Sequence, residues 1–166
     1  MSTEGLSYCK NEDLPSDHLR WALAATEGAF HPWHIDNVGA GTFIGVQQGA
    51  KLIFIGIPRT KDSAALNLFL EDFIVDQPGK EKWDIEAILL KPGDQIVFPP
   101  NTPHAVYTAD HSICLGGHIY PTSTLTRTLI GHVHAFILTS FITNTDLILR
   151  RDLHHRIMVF IHHTLV

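Results

Sequence analysis

The triplet His34-Ile35-Asp36 is the part of the sequence best suited to metal chemistry. On an extended strand, residues two apart point to the same face, so His34 and Asp36 share a face that Ile35 does not. An imidazole nitrogen and a carboxylate oxygen placed side by side form two adjacent positions of a metal site. The third ligand must come from another strand. His104 is the best candidate, because it opens an apolar segment after the proline-rich turn 98–103.

Two histidines and one carboxylate form the facial triad of non-haem Fe(II) oxygenases, which leaves coordination positions open for a cosubstrate and dioxygen. Since the chain carries twelve histidines, a His-x-Asp pair is weak by itself. Lys51 strengthens the pattern, because it opens the apolar segment 52–55 and a buried ammonium is costly unless an anion pairs with it. A dicarboxylate cosubstrate would supply that anion. The alternative is that Lys51 ends a strand and reaches solvent through its long side chain.

These residues need a β framework to bring them together. Short apolar runs broken by glycine, proline and asparagine predict eight strands. The predicted strands are 20–25, 29–36, 41–48, 51–57, 85–91, 95–99, 104–109 and 111–120. Gly49-Ala50 and Pro92-Gly93-Asp94 are predicted to form tight turns between neighbouring strands. Eight short strands with turn signals predict a mainly β, antiparallel fold of the jelly-roll or cupin type.

The sequence as a whole predicts a chain of three parts. Residues 1–19 are polar and acidic and are expected to be a flexible lead-in, and 20–120 form the β-barrel core. An insertion within that core carries a predicted helix near 63–74, with apolar residues at helical spacing. Residues 121–166 are expected to form C-terminal helices that pack on the core. The uncharged stretch 128–145 contains histidines, which are costly in hydrocarbon, so we expect a buried helix and no membrane span.

Composition sets further limits on function. The chain has 166 residues, of which 45% are hydrophobic and 17% are charged, and this predicts a single folded domain. A net charge of −5 gives no strongly basic surface, so direct nucleic-acid binding is not expected. The two cysteines form no disulfide framework and the N-terminus lacks the features of a secretory signal. We therefore expect an intracellular protein, and the sequence does not define its oligomeric state.

Residues 28–120 resemble the JmjC domain, the Fe(II)- and 2-oxoglutarate-dependent core of histone demethylases and protein hydroxylases, and the whole is similar to small fungal JmjC proteins. The matching stretches are 33–36 (WHID), 42–51 (TFIGVQQGAK), 90–107 (LKPGDQIVFPPNTPHAVY) and 116–120 (GGHIY). The resemblance implies a double-stranded β-helix. It also implies that His34, Asp36 and His104 hold Fe(II), and that Lys51 pairs with the far carboxylate of 2-oxoglutarate.

Two positions depart from the family pattern that the resemblance implies. His31 stands where many members have a threonine that also binds the cosubstrate carboxylate, although its ring could still donate a hydrogen bond. Ile44 stands where a tyrosine is often found. His118 lies on a strand expected at the barrel mouth, where it either contacts the cosubstrate or substrate or has a structural role.

The function implied by the resemblance is a dioxygenase that hydroxylates or N-demethylates a protein, such as a histone, and releases succinate and CO2. Nucleus is the compartment that the family suggests. Two alternatives remain open from the residues themselves. One is a catalytically silent JmjC-like or cupin-like binding protein, which the departures at His31 and Ile44 favour. The other is a cupin metalloenzyme that does not use 2-oxoglutarate, because the ligand set alone does not select the metal.

Overall fold

A computed structural model describes residues 19–36, 39–59 and 83–138, together with positions 159 and 162. Within these residues the chain forms six strands, all paired antiparallel, then a short 3-10 turn and one helix. The elements are β1 (Arg20–Ala25), β2 (Phe30–His34), β3 (Gly41–Pro58), β4 (Trp83–Leu90), β5 (Gln95–Phe98), β6 (His104–Ile119), the 3-10 turn Thr122–Thr124 and α1 (Leu125–Leu138). The predicted fold class, mainly antiparallel β with a C-terminal helix, is confirmed.

Two long strands form the centre of the sheet. β3 has 18 residues and β6 has 16, and they pair with each other along most of their length. The first part of β3 lies between β5 and β6, and its second part lies between β4 and β6. The start of β6 pairs with β2 and its end pairs with β1. The strands β1 and β5 therefore flank one end of the β3–β6 pair, and β2 and β4 flank the other end.

The prediction of a tight turn at Gly49-Ala50 is wrong. β3 continues through these residues, and the register to β6 shifts on both sides of Gln48. Gly49 has a φ of +77°, and a Cβ at this position would collide with the backbone oxygen of His111. The glycine therefore permits a β-bulge within a continuous strand and does not close a hairpin. The predicted strands 104–109 and 111–120 are likewise one strand, β6.

The inward faces of the long strands form the core. A buried cluster contains Ile44, Val46, Ile53, Leu90, Phe98 and Cys114. Lys51 lies on the same inward face as Ile53 because the two residues are two apart on β3. Lys51 is therefore buried next to apolar core residues, and its alternative position at a solvent-exposed strand end is wrong.

Helix α1 packs against the loops at one end of the sheet. A Cβ at Gly39 would collide with the backbone of Thr128, and a Cβ at Gly131 would collide with the Asn101 side chain and with Gly39. Asn101 has a φ of +59°, and its Nδ2 donates to the backbone oxygen of Arg127 over 2.6 Å. These close approaches hold the first half of α1 against the loop after β2 and against the turn before β6.

Other predictions fall partly or wholly outside the described residues. The lead-in 1–19 does so except for Leu19, and the helix near 63–74 lies entirely outside them. The division into 1–19, 20–120 and 121–166 stays a prediction. Among the described helices, no helix is long and apolar enough to cross a membrane.

Candidate metal centre

His34, Asp36 and His104 meet at the ends of two neighbouring strands. His34 is the last residue of β2 and His104 is the first residue of β6, and the register places them directly opposite each other. Asp36 follows the end of β2, which stops two residues earlier than predicted, and Ile35 between them is buried in the core. One ligand atom from each of the three side chains lies within 4.8 Å of the other two. The structure thus brings together all three residues of the predicted triad, each of them buried.

Both histidine rings are held by the same local hydrogen bond. The Nδ1 of His34 lies 2.7 Å from the backbone oxygen of Pro32, and the Nδ1 of His104 lies 2.9 Å from that of Thr102. Because a carbonyl oxygen only accepts, each Nδ1 carries the proton and donates it. Each Nε2 then keeps its lone pair, which is the form of imidazole that binds a metal.

The surroundings of His34 favour its neutral form. Its ring centroid lies 4.2 Å from that of His104, and the Phe98 ring stacks on His104 at 4.9 Å. Burial, and after it the neighbouring His104 imidazole, lowers the pKa of His34 to about 4, although Pro32 and Asp36 act in the opposite direction. The imidazole is therefore neutral at physiological pH, which is the protonation state that binds a metal.

A cavity of about 270 Å³ opens onto the three side chains. Apolar side chains form most of its wall: Trp21, Ala22, Leu23, Ile44, Ile53, Phe98 and Val106. His31, Thr42 and His118 add polar groups beside the candidate ligands. The pocket thus combines a largely apolar wall with a few polar groups at one place, as small-molecule sites commonly do.

The additional histidines that were predicted for the site also line this cavity. His118 Nδ1 lies 2.9 Å from the Thr42 hydroxyl, and burial lowers the pKa of His118. His31 makes an edge-to-face contact with His34, with ring centroids 6.3 Å apart. Burial, and then Lys51, lowers the pKa of His31. Ile44 is buried in the wall, so this position contributes no hydroxyl to the pocket.

Lys51 lies beneath the cavity wall. Its side chain is 1% exposed, and Nζ donates to the Thr108 hydroxyl over 2.7 Å. Burial lowers the pKa of Lys51, while the neighbouring Cys114 acts in the opposite direction. Lys51 is absent from the residues that line the cavity, whereas Ile53 and Val106, the next cross-strand pair, do line it.

Sequence reasoning missed three polar or aromatic side chains around the site, namely Trp21, Thr42 and Thr108. A signal for Thr108 was present, because it lies four residues after His104 and so shares its strand face. No comparable signal marked Thr42, whose contact with His118 spans 76 positions of the chain.

The donor set fits a divalent first-row transition metal. Two neutral imidazoles and one carboxylate are the ligands of such ions in oxygenases, and a hydrogen bond from each Nδ1 orients the ring. The three side chains are buried around a cavity, so an ion held there would have room for further ligands on one side.

Curated relatives carry names that agree with this arrangement. The JmjC domain-containing histone demethylation protein 1 of Cryptococcus neoformans is 28% identical over 130 residues, which cover 75% of this chain and 15% of the relative. The protein of the same name from Mycosarcoma maydis is 28% identical over 103 residues, covering 60% and 15%. The one from Caenorhabditis briggsae is 29% identical over 121 residues, covering 69% and 11%. The chain therefore spans only a small part of each relative.

No protein-family model matches the chain. Solved structures that match part of the chain include a conserved protein of unknown function from Streptococcus pyogenes, with 18% identity, a TM-score of 0.41, and coverage of 61% of this chain and 63% of that one. The Drosophila melanogaster CENP-C cupin domain is 10% identical with a TM-score of 0.42, and the match covers 61% and 60%. The sequence relatives bear out the resemblance that the motifs predicted: the chain is similar to JmjC domain-containing histone demethylation proteins over 60–75% of its length.

Proposed function

We propose that this chain is an Fe(II)- and 2-oxoglutarate-dependent dioxygenase. The observation that carries the proposal is the buried group of His34, Asp36 and His104, whose ligand atoms lie within 4.8 Å of one another at a cavity. When bound, Fe(II) and 2-oxoglutarate supply an oxidation in which one atom of O2 enters a substrate C–H bond and the other enters succinate, with loss of CO2. The product is an alcohol, or a demethylated amine and formaldehyde where the carbon is an N-methyl group.

The residues of this chain have distinct roles in that proposal. His34, Asp36 and His104 hold the ion, and the hydrogen bonds that the two Nδ1 atoms donate to the backbone oxygens of Pro32 and Thr102 orient both imidazole rings. Lys51 supplies a buried positive charge for the distal carboxylate of 2-oxoglutarate. His31 and His118 provide polar contacts to the bound acid or to the substrate, and Thr42 orients the His118 ring. The apolar wall limits access of water to the reacting atoms.

The substrate that we propose is a protein side chain, such as a methylated lysine of a histone, and the compartment is the nucleus. This part of the proposal is supported by the relatives, whose names describe histone demethylation. The chain itself has a net charge of −5, so a basic histone tail would meet a surface of opposite overall charge. Direct binding to nucleic acid is not part of the proposal.

The test is release of succinate from 2-oxoglutarate. The purified chain is loaded with Fe(II) without oxygen and then exposed to O2, beside His34→Ala and His111→Ala variants. His111 is an exposed histidine outside the cavity, so it controls for general loss of a histidine. We expect release from the wild type and from H111A but not from H34A. Equal release from H34A and wild type, or no binding of iron and 2-oxoglutarate to the wild type, would contradict the proposal.

A second candidate is a metal-dependent cupin protein that does not use 2-oxoglutarate. The position of Lys51 beneath the cavity wall favours it, because no lysine or arginine lines the cavity among the described residues. This candidate predicts metal binding without any preference for dicarboxylic 2-oxoacids, and calorimetry with the metal-loaded chain separates the two.

A further inference from the structure

A row of apolar side chains crosses the outer face of four paired strands. The register pairs four residues in succession, one from each strand: Phe30 of β2, Tyr107 of β6, Leu52 of β3 and Leu89 of β4. Paired residues point to the same face of a sheet, and their neighbours along each strand point to the other face. Ile53, the neighbour of Leu52, lines the cavity. The row therefore lies on the face that points away from the cavity.

The same face remains apolar towards the end of β3. Phe54 pairs with Ala105 on one side and with Ala87 on the other, and Gly56 pairs with Ile85. Together with the first row, these residues form a surface that we call the outer apolar face: Phe30, Leu52, Phe54, Gly56, Ile85, Ala87, Leu89, Ala105 and Tyr107.

The large side chains of the outer apolar face are open to solvent in the described part of the chain. Phe30, Tyr107, Ile85 and Leu89 are between 39% and 52% exposed. The helix that the structure describes, α1, packs elsewhere, against the loop at Gly39. A contiguous apolar surface of this kind marks an interaction site on a folded protein.

The chain itself supplies a segment at the edge of this surface. β3 ends at Pro58 and β4 begins at Trp83, and the register pairs these two residues. Just beyond them, Arg59 forms an ion pair with Asp84 over 2.8 Å. Residues 60–82 lie outside the described residues, and their two ends therefore meet at one end of the outer apolar face.

The helix that the sequence predicts at 63–74 matches the outer apolar face in pattern and in size. Its apolar residues at helical spacing are Leu66, Phe69, Leu70 and Phe73. A helix over this range is about 18 Å long. The face is about 14 Å wide across four strands and about 20 Å long from Pro58 to Leu52. A helix with one apolar side needs an apolar surface to cover that side, and this face begins where the segment is attached.

We propose that residues 60–82 fold back over the outer apolar face, so that the helix 63–74 covers it with its apolar side. Docking removes apolar surface of both partners from water, which is the main favourable term in such packing. Glu71, on the opposite side of this helix, meets solvent. The docking is independent of the metal and of the proposed reaction. A second copy of the chain is the competing occupant of the face.

The experiment is limited proteolysis of the full chain with chymotrypsin, with the rate of cleavage after Phe73 measured by mass spectrometry. Cleavage follows the population of the undocked segment, so we expect it to be at least about tenfold slower than in a synthetic peptide of residues 60–82. Leu89→Asp places a carboxylate under the helix and should raise the rate about tenfold or more. Leu115→Asp is the matched control, because Leu115 is equally exposed but lies outside the outer apolar face, and should change the rate less than about threefold.

A variant on the segment side guards against general unfolding in L89D. Phe69→Asp should raise the cleavage rate as L89D does, and the double variant should be cleaved no faster than either single one, because both break one contact. Cuts confined to 60–82 show that the sheet is intact, since unfolding exposes sites throughout the chain. Wild-type cleavage as fast as in the peptide, or an equal effect of L89D and L115D, would overturn the docking. So would a wild-type dimer, seen by sedimentation, that L89D dissociates without a change in cleavage, because the second copy would then cover the face.

Discussion

His34 and His104 stand directly opposite each other where β2 meets β6, with ring centroids 4.2 Å apart, and each donates its Nδ1 proton to the carbonyl two residues before it. The same type of hydrogen bond to a backbone carbonyl thus orients both rings. Two imidazoles this close would repel each other if both were charged, whereas in the proposed site both rings bind one metal ion.

The first prediction concerns metal affinity. Asp36→Asn removes the negative donor from the centre, and His104→Ala removes a neutral one. We expect each to weaken Mn(II) or Co(II) binding by roughly 100-fold or more, since loss of a direct ligand exceeds the 10–100-fold typical of its supporting contacts. Titration calorimetry measures the affinity of each variant for the metal. Asp110→Asn, which changes an exposed carboxylate on β6, is the matched control and should bind as the wild type does.

The second prediction concerns the pH dependence of stability without metal. His34 has a pKa of about 4 when folded and an ordinary value of 6.5, so between these values the unfolded chain binds a proton that the folded chain does not. The free energy of unfolding therefore falls as pH drops from 6.5 to 4, by on the order of 3 kcal/mol from this group. Urea titrations at several pH values measure this dependence of the unfolding free energy on pH. A His34→Gln variant with an unchanged slope would contradict the assignment to His34.

The third prediction separates stability from binding at one residue. Lys51→Met places an apolar chain of similar length where a buried ammonium now lies. Because the uncompensated charge is removed, we expect the ligand-free chain to gain about 1–2 kcal/mol of unfolding free energy. The same variant should lose its preference for 2-oxoglutarate. Thermal unfolding with and without the acid measures both, and a large loss of stability in the ligand-free variant would show that the charge supports the fold.

The fourth prediction concerns the contact between α1 and the ligand loops. Gly131 lies against Asn101 and Gly39, so a methyl group there has no space. Gly131→Ala should cost about 1–3 kcal/mol, as overpacking of a tight contact does. It should also weaken metal binding, measured by calorimetry, because Gly39 follows Asp36 by three residues and Asn101 precedes His104 by three.

The control for this prediction is Val133→Ala on the same helix. Val133 is exposed, so V133A raises helix propensity as G131A does but places no methyl group against a neighbouring residue. We expect V133A to bind metal as the wild type does. If metal affinity in G131A equals that of the wild type, the helix does not position the ligands.

The sequence predicted the centre of this site because its signals are local. The His34–Asp36 spacing and the turn before His104 are visible in a few consecutive residues, and the motifs that resemble JmjC domains carry the same positions. Lys51 could be recognised as unusual because an apolar run surrounds it. These signals did not predict that Thr108 would meet Lys51, since that contact depends on the register between two long strands.

The register was also the source of the error at Gly49. A Gly-Ala pair between two apolar runs is typical of a turn, and the sequence does not reveal that both runs pair with one continuous partner strand. The register shifts around Gln48 and Ala50 show instead that one continuous strand bulges at this point. Local pattern therefore identified the residues on the inward face but divided one strand into two.

The hydrogen bonds that fix His34 and His104 in one tautomer have a practical consequence for purification. Because hydrogen bonds already orient both rings, the proposed site has little means of discriminating between Fe(II) and other divalent ions. We expect its affinities to follow the general order in which Ni(II), Cu(II) and Zn(II) exceed Fe(II). The ion found in protein from a cell or from a nickel column will then depend on which metal ions were present during expression and purification. Inactive preparations of the proposed dioxygenase are to be expected wherever another metal ion was bound first, and an activity assay tests the proposal only after chelation and reloading with iron.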